Sequence, residues 1–448
     1  MLSPEQARDR AMDLVERARK AGADAADAVY GANASEGIQV RLGKLEDVER
    51  SESEHISLRV FSGKRSASIG SSDLSPDALD ELASRAIAMA RLAPEDAYAG
   101  LAPDDMLSHG PWPDLDMVDS HEPTPQQLRA IAEEAEDAAR AIAGVTNSDG
   151  SSASAGRNVF ALATSHGFAG GYAATSHSLS VSVVAGEGSE KQRDNAWRQA
   201  HHASDLPSPA EIGQLAGTRA VARLRPGRIK SGPMPVVFDP RVGGSIIGHL
   251  LGAMSGNAIT RRSSFLLDRL GEQVLPAGTL IVEDPHRPRG LRSRPFDGEG
   301  LATTRRHLVE DGRLTGWLLD SASARQLGLV PTGHAARGGG GAPSVSVGNV
   351  HLAAGALSPE DLIGDIKEGF YVTELIGQGV NGVTGDYSRG ASGMRIVDGA
   401  FAGPVAELTV AGNLIDMLAR LVPANDLEWH RAVNVPTLRI DGMTVAGD

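Results

Sequence analysis

The 448-residue chain contains no cysteine. Disulfides, thiolate nucleophiles and cysteine-ligated metals are thereby excluded, and the absence fits a reducing compartment. Aromatic residues are scarce, at 4%, which argues against an aromatic-rich binding face. No window approaches the ~18 uncharged apolar residues of a membrane-spanning helix. The stretch MLSPEQARDRAMDLVERARKAGADAADA is charged throughout and lacks the apolar run of a signal peptide. A cytoplasmic protein with no membrane partner is expected. Positive charge is in deficit as well, 43 Lys and Arg against 57 Asp and Glu, for a formal net charge of −14. Such a surface repels phosphate backbones, so nucleic acid is not an expected partner.

Hydrophobic residues make up 41% and charged residues 22%, which is globular composition, and glycine is abundant at 53. The length predicts more than one core. Ser3 to Lys20 and Ser75 to Ala93 read as helices with Ser-Pro at the start, and Thr124 to Ala143 and Ser208 to Arg223 as two more. Between them lie strand patterns. DAADAVYGA and GIQVRL read as two short pieces, HISLRVFSG and KRSASIGS as a hairpin, and Val145 to Val184 as successive strands. Residues 94–123, rich in Pro, Asp and Gly, read as a long surface loop. The Pro-, Gly- and Arg-rich RPGRIKSGPMP changes the character of the chain. The expected architecture is α+β, with an N-terminal helix-and-sheet domain over 1–228 and a strand-rich C-terminal domain with few helices over 229–448. Asp-Gly pairs in VEDGRL and IVDGAF predict hairpins in the latter. Helices are expected there over 240–255, 358–368 and 413–421.

The motifs that carry common chemistries fail on their context. Gly377 to Gly382 fits G-x-G-x-x-G, but VTGDYSRGASG follows instead of the helix that a pyrophosphate site needs. Gly338 to Gly341 lacks the Lys-Ser/Thr of a P-loop and reads as a mobile loop. GSSASAG misses the spacing of a nucleophile elbow. There is no H-E-x-x-H, and His201 and His202 are adjacent, so their side chains diverge. His286, His307 and His334 are the histidines on which a relocated metal site would have to draw.

The stretch GSIIGHLLGAMSGNAITRR is a helix with two unlike sides. Val242, Ile246, Ile247, Leu250, Leu251 and Met254 share a broad apolar face. Gly244, Ser245, Gly248 and Gly252 form the other side, where a backbone or ligand can approach closely. His249 sits between them. Its ordinary role is a core-edge histidine hydrogen-bonded to a carbonyl.

The order of PVVFDPRVGGSIIGHLLGAMSGNAITRRSSF, DPHRPRGLRSRPFDGEG, LVEDGRLTGWLLDSASARQLGLVPTGHA, GVNGVTGDYSRGASGMRIVDGAF and VPTLRIDGMTV resembles the TldD/PmbA family. TNSDGSSASAGRNVFALATSHGFAGGYAATSHSLSVSVVAGEG resembles its PmbA (TldE) branch. The resemblance implies a cytoplasmic metalloprotease assembly. In it the TldD branch holds zinc through an H-E-x-x-x-H helix and a distant cysteine, with the Glu as base. Set on this chain, the first His falls on Gly248, the Glu on His249 and the second His on Ala253, and the cysteine has no counterpart. Gly and Ala offer zinc no donor, and the base is missing too. The resemblance therefore implies a subunit with no catalytic residue, no metal ligand and no cofactor of its own. It would complete a peptide-binding cavity, with a TldD-like partner supplying zinc in a heterodimer and a peptide or unfolded chain as substrate. His249, Asn257, Arg261 and Arg262 are the candidate cavity residues, the basic pair facing a substrate carboxylate. The alternative is a stand-alone homodimeric peptide-binding or scaffold protein without protease activity.

Overall fold

The computed structural model describes residues 1–338 and 341–447. The chain opens with helix α1 (Pro4–Lys20), which Ser3 caps by accepting from the Gln6 N–H while the Gln6 side chain accepts from the Ser3 N–H. Reciprocal capping of this kind satisfies two orphan donors at once. The same device starts α3 (Pro125–Arg140) at Thr124 and α4 (Pro209–Ala222) at Ser208. Helix α2 (Pro76–Leu92) also follows Ser-Pro, but Ser75 makes no side-chain cap.

These helices cover a six-stranded sheet in the order β3-β2-β1-β4-β5-β6. Its strands are β1 (Ala25–Arg41), β2 (Lys44–Ser62), β3 (Arg65–Ser71), β4 (Val145–Thr164), β5 (Ala169–Ala185) and β6 (Gln192–Ala200), and every neighbouring pair is antiparallel. One core lies under α1 and α2, including Leu14, Tyr30, Leu58 and Leu79. A second lies under α3 and α4, including Leu128, Val181 and Ile212.

Two strands differ from the sequence reading. β1 is a single strand of 17 residues, not two pieces. Its Gly31 marks a close approach, since a Cβ there would stand 2.5 Å from the His55 ring. β2 starts at Lys44, well before His55, because Leu42 and Gly43 both take positive φ (52° and 72°) and turn the chain straight back. The buried Glu136 of α3 accepts from both of their N–H groups at 2.8 Å. The segment Lys44–Arg50 is exposed on both faces, so its sequence carries no apolar alternation.

Residues 94–123 run without regular structure apart from a 3-10 turn at Asp104–Met106. They are fastened rather than free. Arg325 donates to the carbonyls of Tyr98, Gly100 and Leu101, and Trp112 packs against Phe168 and Phe296 with centroids 6.0 and 5.0 Å apart.

The C-terminal half is built on β7 (Gly232–Phe238) and strands Glu368–Ile376, Asp386–Val397, Ala400–Asn413 and Leu438–Ala446. β7 pairs parallel with Glu368–Ile376 and antiparallel with Leu438–Ala446, and the last strand also pairs with Ala400–Asn413. The five strands therefore close into a ring. A smaller five-stranded sheet stands beside it, with Ile281–Glu283 at its centre. The Asp-Gly hairpins form as read, with Asp311-Gly312 and Asp398-Gly399 at positive φ. The helix expected over 358–368 is shorter, Pro359–Ile363, because Lys367 and Glu368 already turn into the ring. The G-x-G-x-x-G segment is a turn between strands. A Cβ at Gly379 would meet the Ser388 carbonyl at 2.1 Å, which is why glycine stands there. The glycine run 338–341 extends beyond the described residues. Among the described residues no helix is long and apolar enough to cross a membrane.

Candidate functional site

Helix α5 (Pro240–Met254) leaves β7 through Asp239, whose carboxylate accepts from the Arg241 N–H at 2.9 Å. Ile246, Ile247, Leu250, Leu251 and Met254 face the large C-terminal core. Short helix α6 (Gly256–Thr260) follows. The opposite side of α5 is open, and a methyl group built on Gly248 or Gly252 would meet no atom within 4 Å. The small residues expose helix backbone to a cleft of about 570 Å³, bordered by Gly244, Ser245, Trp197, Arg241, Arg389 and Arg431.

His249 is half-buried beside this face. Its ring meets Tyr387 edge-on, with centroids 6.1 Å apart. Its Nε2 and the Tyr387 hydroxyl are both buried without a hydrogen-bond partner among the described residues. The carbonyl partner expected of a core-edge histidine is therefore missing. Burial and then the nearby Arg389 charge hold the imidazole below its ordinary pKa, so it is neutral at pH 7. Burial pushes the Tyr387 phenol up to about 12. The pair thus offers neutral donors and acceptors, and neither group acts as an ionised base near neutrality.

The positions matched to zinc ligands do not form a metal site. Gly248 is exposed and carries no side chain, and Ala253 is turned into the core at 6% exposure. His249 is the only nitrogen donor of the three. The other histidines are engaged elsewhere. His334 contacts Glu283 at 2.6 Å and Thr332 at 2.7 Å, His286 contacts Thr303 at 2.9 Å, and His307 contacts Glu310 at 3.0 Å. Among the described residues no group of three or more His, Asp or Glu could hold a metal ion. The residues present do not fit zinc.

None of the four cavity candidates is among the residues that border the cleft, although Arg389, which does border it, acts on His249 through its charge. Asn257, on α6, and Arg261 and Arg262, which follow it, are exposed and do not border the cleft. The arginines that do border it come from four separate parts of the chain. Arg241 is bound to Asp194 at 3.0 Å. Arg431 lies over the Trp197 ring at 5.0 Å. Sequence reasoning missed Trp197, Arg389 and Arg431, because no local spacing links them. The only signal was basic residues beside tryptophan in NAWRQ and EWHRA.

Family models for the PmbA/TldA metallopeptidase match domain 1 at residues 26–90, the central domain at 119–224 and the C-terminal domain at 231–447. The chain is 38% identical to the Metalloprotease PmbA of Escherichia coli O157:H7, over 95% of this chain and 92% of that one. It is 36% identical to the Metalloprotease PmbA homolog of Haemophilus influenzae, over 97% and 94%. Its fold matches the crystal structure of TldE from Thermococcus kodakarensis with a TM-score of 0.87 at 21% identity, covering 98% of this chain and 100% of that one. The chain belongs to the PmbA/TldD family, on its PmbA-type branch.

Proposed function

We propose that the chain is the metal-free subunit of a two-chain, cytoplasmic metalloprotease. It walls a cavity for an unfolded peptide, and a TldD-like partner contributes zinc and the general base. The observation that carries this reading is the α5 face. Gly248 is exposed and carries no side chain, Ala253 is buried, and no acid stands at position 249. A water made nucleophilic by a metal needs several converging donors and a base within reach, and this face supplies neither. It does supply room, since backbone and small side chains let an extended chain lie against the helix.

The test is an assay on an unfolded polypeptide with this chain alone, the TldD-like chain alone, and the two mixed. Chelator-sensitive cleavage that rises strongly on mixing, with zinc copurifying only with the partner, is the expected result. Chelator-sensitive cleavage by this chain alone would sink the proposal. Peptide binding by a homodimer, with no activity from any mixture, would establish the scaffold alternative.

A further inference from the structure

Across a chain with net charge −14, one region reverses the balance. The cleft beside α5 adjoins a second cavity of about 560 Å³, and Gln199, Leu291 and Arg431 border both. Together they expose Arg198, Arg287, Arg292, Arg389 and Arg431. Among the described residues, none of these five forms an ion pair with a carboxylate. Arginines elsewhere do: Arg395 holds Glu368 at 2.7 Å, and Arg17 holds Asp80 at 2.7 Å. Among the described residues no Asp or Glu borders the cleft itself. In the second cavity Asp205 is already taken by Arg289 at 3.0 Å, and Glu428 stands exposed at the rim.

The arrangement is built rather than incidental. Arg431 is held over Trp197, and Arg287 over Trp429 at 3.7 Å. The rings hold the guanidinium groups in place, and apart from the Arg431 Nε, which donates to His430 Nε2 at 3.4 Å, their N–H groups can still donate. Arg198, Arg287, Arg389 and Arg431 are half-buried; Asp284 acts on Arg287 and Asp239 on Arg431 without forming an ion pair, and partly dehydrated cations with no direct counter-charge are costly. Burial, together with Arg198 and Arg241, lowers the pKa of Arg431. The wall also offers a strand edge, because β6 pairs only with β5. On β6 the Asn195 and Trp197 carbonyls accept from Arg219 and Arg198 at 3.2 and 3.0 Å, which an added strand would have to displace.

We infer that this double cleft binds an acidic, extended peptide segment, with carboxylates on Arg292, Arg389 and Arg431 and backbone along the outer edge of β6. Guanidinium forks match carboxylates in geometry and charge, and an edge strand accepts an added strand. A single-stranded nucleic acid fits less well. One face of each tryptophan is already covered by arginine, which reduces the platform for bases, and the net negative charge repels a long polyanion. The inference names the substrate class of the proposed peptidase subunit and rests on that reading for the fate of the peptide.

The test measures fluorescence polarisation of the full chain, without partner or metal, against a labelled Glu-Ser repeat peptide. A Gln-Ser peptide, a C-terminally amidated Glu-Ser peptide and an oligothymidylate are the comparisons. The Glu-Ser peptide is expected to bind at least about tenfold more tightly than its Gln counterpart, and to weaken with salt. Amidation is expected to change little. Arg389→Gln with Arg431→Gln should weaken binding about tenfold or more, while Arg50→Gln, on the distant β1–β2 ribbon, leaves it unchanged. Should the double variant not fold, the exposed Arg292→Glu gives the same reading by charge reversal. Equal binding of the Gln peptide, loss on amidation, indifference to Arg292→Glu, or tighter binding of the oligonucleotide would each overturn the inference. Partner-dependent cleavage with no charge preference would refute this inference and keep the subunit role; charge-selective binding with no partner-dependent cleavage would do the reverse.

Discussion

Asp27 and the cleft show one guanidinium chemistry in two settings. Asp27, on β1, is 1% exposed, accepts a hydrogen bond from Arg59 of β2 at 2.8 Å and forms an ion pair with Arg337 of the C-terminal half at 2.8 Å. Burial alone would raise its carboxyl pKa, but Arg337 and Arg59 outweigh it and hold the group below the ordinary range. In the cleft, Arg389 and Arg431 are half-buried with no carboxylate among the described residues. The first cluster is complete and ties the two halves of the chain together. The second is incomplete and faces open space. Charges whose partners lie within the fold are structural, whereas charges left without partners beside a cavity point outward to a ligand.

The strongest way to break this contrast is Asp27→Ala. It strands two buried arginines and should cost about 3–5 kcal/mol, read from the urea midpoint. A loss under about 1 kcal/mol would show that water reaches the cluster and that the contrast is false. Next in size is Asp297, a carboxylate that the chain surrounds mainly with backbone. It accepts from the Glu299 and Leu301 N–H groups at 2.8 and 2.9 Å. Burial, then the Glu299 charge, push it up to about 7. Its folded pKa lies above the unfolded value, so the native state holds a proton that the unfolded chain releases between about pH 4 and 7. Its contribution is therefore full below about pH 4 and falls as pH rises to about 7, by roughly 2–4 kcal/mol. Asp297→Asn should flatten that slope in pH-dependent unfolding, and an unchanged slope would assign it to other groups.

Smaller effects sharpen the cleft side. Gly248→Ala adds a methyl that meets no atom within 4 Å, so helix propensity should raise stability by up to about 1 kcal/mol. A loss would mean that the face is covered in solution, for instance by a second copy. Smallest of all, Arg431→Gln should shift stability by less than about 0.5 kcal/mol, because no ion pair is broken. A large loss would make Arg431 part of the fold rather than of a binding wall.

The helices were legible because their signals are local. Ser3, Thr124 and Ser208 announce caps, and the apolar positions of 240–254 repeat at helical spacing. The residues at the positions that the resemblance matches to zinc ligands, Gly248 and Ala253, can be named without coordinates. The length of β1 and β2 was not, because Lys44–Arg50 reaches past the core, and burial is what writes alternation into a strand. Nor was the arginine wall. Arg198, Arg292, Arg389 and Arg431 are far apart in the chain, and only the docking of β6 against the C-terminal half gathers them. The loop over 94–123 reads as a linker by composition, yet Ala102, Leu107, Leu115 and Met117 are buried, because four scattered apolar residues leave no periodic trace in a Pro- and Asp-rich stretch.

The ring of C-terminal strands closes where Gly232 meets Val445 and where Thr409 meets Ala446. Its first and last strands are thus side by side, and the half has no loose strand to offer a neighbour at that seam. Clipping the final ten residues would do more than shorten the polypeptide. It would bare the flanks of β7 and Ala400–Asn413 together and turn a self-sealed wall into a sticky one, so that trimming at this end would lead to aggregates rather than to a smaller, well-behaved molecule.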